Sequence, residues 1–355
     1  MGRCASLLVL AVAILAGCSS THGSARHSTT SPPPPKVAAK PRRSLRLTDV
    51  STGALSAPLQ DAAAASAGTH RLVLLGGLDS ADTSTDGVRV VASSTDTTRG
   101  RLPGALHDAA AVQLGRSAYL FGGGNGVSQL DAILRVDAAT GGVTAAGTLP
   151  AASSDSAAAP VGGTAYVVGG YTGTRWLDTI VAWRPGAPAR VAGHLPTPLR
   201  YAAVAAVGGK VVIAGGSTPA GSASRAIYVF DPKSHHVTRF GTLPQATTHA
   251  AAATLGDVTY VIGGRGAATG TPTARIVAVD AAAHRVRAAG RLAQARSDLA
   301  AVALGGRIVV AGGRAADGTV SNLDELVPAG TRTATKRAAA VTNVYAADRI
   351  GMLSA

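Results

Sequence analysis

The chain has 355 residues, of which 46% are hydrophobic, 15% charged and only 3% aromatic, so its core must be built from Ala, Val, Leu and Ile. Its formal net charge is +14, from 33 Lys and Arg against 19 Asp and Glu, yet no aromatic-interleaved basic face accompanies it, which argues against nucleic-acid binding. Both cysteines, Cys4 and Cys18, lie in the first 18 residues, which excludes a disulfide framework or thiol chemistry in the rest of the chain.

Residues 1–17 read as an export signal. Arg3 supplies the positive start, Ala5 to Leu15 the apolar stretch, and Ala16-Gly17 the small residues before a cut. The apolar stretch is too short for a permanent membrane helix. Leu15-Ala16-Gly17-Cys18 resembles the lipobox of bacterial lipoproteins, whose cysteine is acylated and becomes the new N-terminus. The resemblance implies lipidation at Cys18 and a cell-membrane address on the extracytoplasmic face. An ordinary signal peptide with an incidental cysteine is the alternative. Each buried acyl methylene adds about 0.8 kcal/mol, so more than one chain would anchor the protein stably. Residues 18–44 contain the cysteine and a Pro/Ser-rich linker with four prolines at Pro32 to Pro35. With almost nothing apolar to bury, this segment is expected to be a disordered tether.

From there six glycine pairs recur: Gly76-Gly77, Gly122-Gly123, Gly169-Gly170, Gly215-Gly216, Gly263-Gly264 and Gly312-Gly313. The steps are 46, 47, 46, 48 and 49 residues, and each pair closes a short apolar run. Such a period marks one structural unit copied around or along an axis. In the fourth unit, strands are expected at Ala202 to Val207, Val211 to Ala214, Ala226 to Phe230 and Val237 to Phe240. Turns separate them at Gly208-Gly209 and Asp231 to Ser234. Leu-Pro exits recur at Leu102-Pro103, Leu149-Pro150, Leu195-Pro196 and Leu243-Pro244, where proline is expected to end the fourth strand. The Ala-rich runs are too short for helices and read as the innermost strands. At each glycine pair, absence of Cβ permits an unusual φ and close backbone approach.

Four strands per unit, repeated six times, is the signature of an all-β, six-bladed β-propeller, with seven blades as the alternative. An apolar run, Gly-Gly, a loop, then a strand ending near Asp or Pro resembles the kelch repeat, and the resemblance covers residues 45–330. The tyrosine that many kelch units place before the glycines stands at Tyr119, Tyr166 and Tyr260. The fourth-strand aromatic survives only as Phe240. Leu45 to Leu59 mimics a third-and-fourth-strand pair and is expected to complete the sheet containing Ala300 to Ala311, while the role of Leu323 to Val327 is left open. In the tail, residues 331–355, Val344 to Arg349 is similar to the junction in actinobacterial proteins where a second propeller follows the kelch part. Such a second propeller is then either absent here or lost from a shortened reading frame.

Alignment on the innermost strands yields a column of candidate binding residues: Asp61, Asp108, Asp155, Tyr201, His249 and Asp298. If the strands radiate from one axis, these side chains ring one mouth of the channel, suited to a divalent cation or a hydroxyl-rich ligand. Alternatively each Asp caps its own turn. A second column, Asp131, Asp178 and Asp324, opens third strands and reads as structural, and His235-His236 reads as surface. No zinc-protease, phosphate-loop or nucleophile-elbow motif is present, so no cofactor, metal site or catalytic residue is assigned. The missing cysteine excludes the copper radical oxidase chemistry of some kelch propellers. Kelch-type mutarotases remain possible by resemblance, with Arg200, Arg296 and Asp298 as the nearest candidates.

These observations favour a lipid-anchored binding or protein-interaction module with an extracytoplasmic protein or glycan partner. Loops such as Ser217 to Ser224 and Arg265 to Thr273 would present the surface. The alternative is a mutarotase-like envelope enzyme acting on carbohydrate at the channel mouth. Charged groups converging within hydrogen-bond reach would favour the enzyme, and a shallow mouth the binder.

Overall fold

The computed structural model describes residues 46–330; the export signal, Cys18, the linker and the tail lie outside the described residues. Among the described residues all regular structure is β: six four-stranded antiparallel sheets and one small hairpin, Arg314–Ala315 with Gly318–Thr319. The innermost strands are Ala63–Ser66, Ala110–Leu114, Ala157–Val161, Ala203–Val207, Ala251–Leu255 and Ala300–Leu304. Each packs against the next, and the sixth packs against the first. The chain is therefore a closed six-bladed β-propeller, with blades 1 to 6 numbered from these strands.

Small side chains make this convergence possible, because bulky residues at the axis would hold neighbouring sheets apart. Farther out, larger side chains fill the seams. Trp183, on the third strand of blade 3 (Thr179–Trp183), is buried against Tyr119 and Phe121 of blade 2, with ring centroids 5.0 and 5.5 Å away. Phe230, at the equivalent position of blade 4, lies 5.4 Å from Tyr166 of blade 3. Both of these seam aromatics stand on third strands, while Phe240 stands on the fourth strand of blade 4, His236–Thr242. At the next seam both members of the pair are valine, Val212 and Val279.

The glycine pairs stitch the blades together. The second glycine of each pair donates its N–H to a carbonyl of the following blade: Gly77 to Leu106, Gly123 to Ser153, Gly170 to Leu199, Gly216 to Thr247 and Gly264 to Arg296, all at 2.8–2.9 Å. Gly313 closes the circuit by donating to Leu59 at 2.8 Å. The first glycine has φ between 60° and 69°, and a Cβ there would approach the same carbonyl oxygen more closely than 3.0 Å. The glycines are needed for both reasons, left-handed backbone and contact with the next blade.

Blade 6 is built from both ends of the described chain, in the order Leu47–Ala54, Asn322–Pro328, Arg307–Ala311, Ala300–Leu304. Leu47 lies opposite Pro328 and Ala54 opposite Asn322. The expected closure is present, with one correction. The described part of that segment, residues 46–59, contains a single strand, the fourth, because Asn322–Pro328 already occupies the third position. No seventh sheet of blade size forms among the described residues. A second correction concerns Pro103, which sits inside the outer strand Thr95–Leu106. An edge strand tolerates it, since one side of its ladder is unpaired.

Candidate functional site

The six residues of the first column come together around the axis and line one shallow cavity of about 130 Å³. All six adopt left-handed backbone, with φ between 53° and 61°. Aspartate and histidine tolerate that region better than most residues, whereas Tyr201 is held there against preference. A closed circuit of backbone hydrogen bonds holds them. Asp108 N–H donates to Asp61, Asp155 to Asp108, Tyr201 to Asp155, His249 to Tyr201, Asp298 to His249 and Asp61 to Asp298, all at 2.8–3.2 Å. Every ring residue thereby tethers its own blade to the previous one.

The carboxylates are not turn caps, the alternative that the repeat pattern allowed. Asp155 takes the Nε–H of Arg200 in an ion pair. Asp108 accepts the hydroxyl of Tyr201 at 3.1 Å, and Asp298 accepts the hydroxyl of Ser297. Asp61 shares hydrogen bonds with the carboxyls of both Asp108 and Asp298. The ring of Tyr201 stacks on His249 with centroids 3.7 Å apart.

Burial governs the protonation of this circle. Desolvation pushes Asp61 well above the usual carboxylate range, and the charges of Asp108 and Asp298 push it further. Desolvation and then the charge of Asp155 raise Asp108 to about 8, even though its side chain remains 12% exposed. Desolvation likewise raises Asp298, against the opposing pull of Ser297 and Arg265. His249 falls to about 2, first through burial and then through Arg265 and Arg200, so it is a neutral ring. Burial also raises Tyr201. At neutral pH Asp108 therefore holds its proton for the most part, so the circle does not present four anions to a cation. Among the described residues no three His, Cys, Asp or Glu stand at metal-ligating spacing.

This protonation predicts a pH dependence. An unfolded aspartate loses its proton near pH 4, whereas burial shifts Asp61, Asp108 and Asp298 upward in the fold, Asp108 to about 8. The folded state therefore binds more protons above pH 4, and stability falls as pH rises through the folded values, to about pH 8 for Asp108. Asp108→Asn, which mimics the neutral acid, should flatten thermal stability between pH 5 and 8. The gain over wild type at pH 8 should be on the order of a few kcal/mol, and little should change at pH 4.

A second tier surrounds the ring, made by the residue after each glycine pair and the residue before each ring residue. These positions pair in isolated bridges, among them Ser154 with Tyr171, Arg200 with Ser217, Thr248 with Arg265 and Ser297 with Arg314. Arg265 reaches His249 Nε2 at 3.0 Å and Asp298 at 3.9 Å. Arg314 pairs with Asp82 at 2.8 Å. The Arg200 guanidinium lies over Tyr171 at 4.3 Å, Trp176 at 4.9 Å and Tyr201 at 5.2 Å. Arg314, Tyr171 and Trp176 are not singled out from the sequence, and Arg265 only as the start of a presenting loop. Reading the column immediately after the glycine pairs would have found Tyr171, Arg265 and Arg314. The loops after Gly216 and Gly264 rise on this same face.

Other sequence candidates are placed elsewhere. Arg296 does not reach the mouth. It is fully buried, pairs with Asp324 and donates to Gly312 O at 2.9 Å. Asp324 lies inside the strand Asn322–Pro328 rather than opening a third strand as Asp131 and Asp178 do. His235 contacts Ala192 O through Nδ1 at 2.8 Å, a turn contact.

The mouth meets both descriptions set out from the sequence: charged groups converge within hydrogen-bond reach, and the space between them is shallow. Residues 198–244, essentially blade 4, match the family model described as Kelch motif. The propeller thus carries a kelch unit. The solved structure described as that of YjhT superposes with a TM-score of 0.66 at 16% identity, covering 77% of this chain and 96% of that one. At that identity the likeness concerns the fold. No curated protein sequence matches the chain significantly.

Proposed function

We propose that the chain is an exported, lipid-anchored binding module whose ring-side face engages an extracytoplasmic protein or glycan. The observation that carries this reading is the state of the mouth. Its polar groups bond mainly to one another, and about 130 Å³ remains between them, below the ~300–1,000 Å³ of ordinary ligand pockets. Outside this closed centre stands a half-buried platform of Tyr171, Trp176 and Arg200. Flat aromatic and guanidinium groups of this kind act as anchors at binding surfaces. The anchor itself rests on the Leu15 to Cys18 motif.

The test has two arms. Wild-type protein should carry an acylated Cys18 by mass spectrometry and sediment with membranes, and Cys18→Ser should release it to the soluble fraction. Affinity capture from solubilised membranes should return a ligand whose binding Trp176→Ala weakens by about tenfold or more. An unmodified Cys18 in a soluble protein overturns the address, and capture unaffected by Trp176→Ala overturns the face.

One observation favours a second reading, a mutarotase-like enzyme. Burial and then the charge of Asp155 raise Asp108 to about 8, it accepts a hydrogen bond from Tyr201, and a carboxyl raised in this way suits general acid–base catalysis. Acceleration of sugar anomer exchange by wild type, measured by NMR and lost in Asp108→Asn, would establish that reading over the first.

A further inference from the structure

On the face opposite the ring, the seam between blades 4 and 5 opens into a cleft of about 400 Å³, within the usual range of ligand pockets. Its apolar wall is formed by Val229 and Phe240 of blade 4, and His284 of blade 5 stacks on Phe240 at 5.3 Å and 17°. The rim carries three charged side chains. Lys210 is already committed to Asp231 at 3.2 Å. Arg239 and Asp257 are different: both line the cleft, yet among the described residues neither side chain has an ion-pair or hydrogen-bond partner. Of the six turns joining first to second strands, only this one carries a carboxylate; the corresponding residues are Thr69, Arg116, Gly163, Gly209 and Gly306.

An uncompensated guanidinium and an uncompensated carboxylate thus border one half-apolar cavity without pairing with each other. A simple anion would meet Arg239 but be repelled by Asp257, and a simple cation the reverse. A molecule bearing both charges beside an apolar group satisfies both and covers the Phe240 wall. The geometry points to a second binding site, in the cleft between blades 4 and 5, for a zwitterion with an apolar side chain. An apolar α-amino acid has this chemistry, its carboxylate toward Arg239 and its ammonium toward Asp257. The termini of a short apolar peptide present the same charges at a wider spacing.

Calorimetric titration of the full chain with L-phenylalanine, L-leucine and leucyl-leucine tests this assignment. Saturable binding of at least one is expected. 2-Phenylethylamine, which lacks the carboxylate, and 3-phenylpropionate, which lacks the ammonium, should each bind about tenfold more weakly than phenylalanine. Arg239→Ala and Asp257→Asn, both at exposed positions, should each weaken the zwitterion by about tenfold. Asp257→Asn should leave 3-phenylpropionate unweakened. Ala282→Trp, which fills the cleft from an exposed turn, should abolish binding. Preference for the amino acids over the dipeptide assigns the free zwitterion, and the reverse preference assigns peptide termini. Absence of saturable binding by wild type, or binding indifferent to both charge variants, overturns the site.

Discussion

Deleting Leu47–Ala54 is expected to abolish the closed fold. This strand supplies the outer edge of blade 6 and pairs along the whole of Asn322–Pro328. Leu47 is buried in the seam with blade 5, and Asp49 accepts the N–H of Ala293 at 2.6 Å. Burial of one such leucine contributes about 1.5–3 kcal/mol, and each ladder hydrogen bond about 0.5–1.5 kcal/mol net. Their sum is comparable with the whole stability of a typical domain, roughly 5–15 kcal/mol. The truncated chain would also expose Asn322–Pro328 as an unprotected edge, a template for aggregation. Size-exclusion chromatography and thermal unfolding should therefore show aggregated or unfolded material. A monomer melting at the wild-type temperature would mean that the ring closes adequately without its terminal strand.

The second large effect is expected at Asp324. Arg296 is completely buried, and its guanidinium is held by Asp324 and by the carbonyl of Gly312. Asp324→Ala leaves a charge without its counter-ion in the seam between blades 5 and 6, which should destabilise the protein by about 3–5 kcal/mol in denaturant unfolding. Three other blades place leucine at the position of Arg296, namely Leu59, Leu106 and Leu199, and blades 3 and 5 place Val181 and Val277 at that of Asp324. The double variant Arg296→Leu/Asp324→Val should therefore recover most or all of the loss, since apolar packing can replace a buried pair. A single variant as stable as wild type, or a double variant no better than the single, would show that the pair does not act in this way.

The ring and the buried pair differ in how far sequence alone could reach them. The ring was legible because rotational repetition places equivalent residues at equal distance from the axis. Six side chains about 47 residues apart needed only the period to be brought together. Their left-handed backbone and their circuit of inter-blade hydrogen bonds follow from the same repetition. Arg296 broke the pattern. It sits two residues before Asp298, beside the ring in sequence, yet its side chain turns into the seam. The partner that draws it there lies on another strand, and strand pairing is invisible in local spacing. The aromatic plugs were missed for a related reason. Trp183 and Phe230 meet tyrosines of the preceding blade, so their function belongs to the seam and not to either repeat.

The amino-acid sequence by itself determined the blade repeat, the innermost alanine strands, the positions of the glycine pairs and the membership of the axial column, while closure at six blades rather than seven came from the fold. The former depend on local backbone preference repeated at a fixed interval. Tertiary structure alone decided that the N-terminal strand fills only the fourth place in blade 6. It also decided that burial raises Asp61, Asp108 and Asp298 above the usual carboxylate range, and that Arg239 and Asp257 border a common cleft without touching. Those properties depend on desolvation and on distances between side chains far apart in the chain, which no spacing within one repeat encodes.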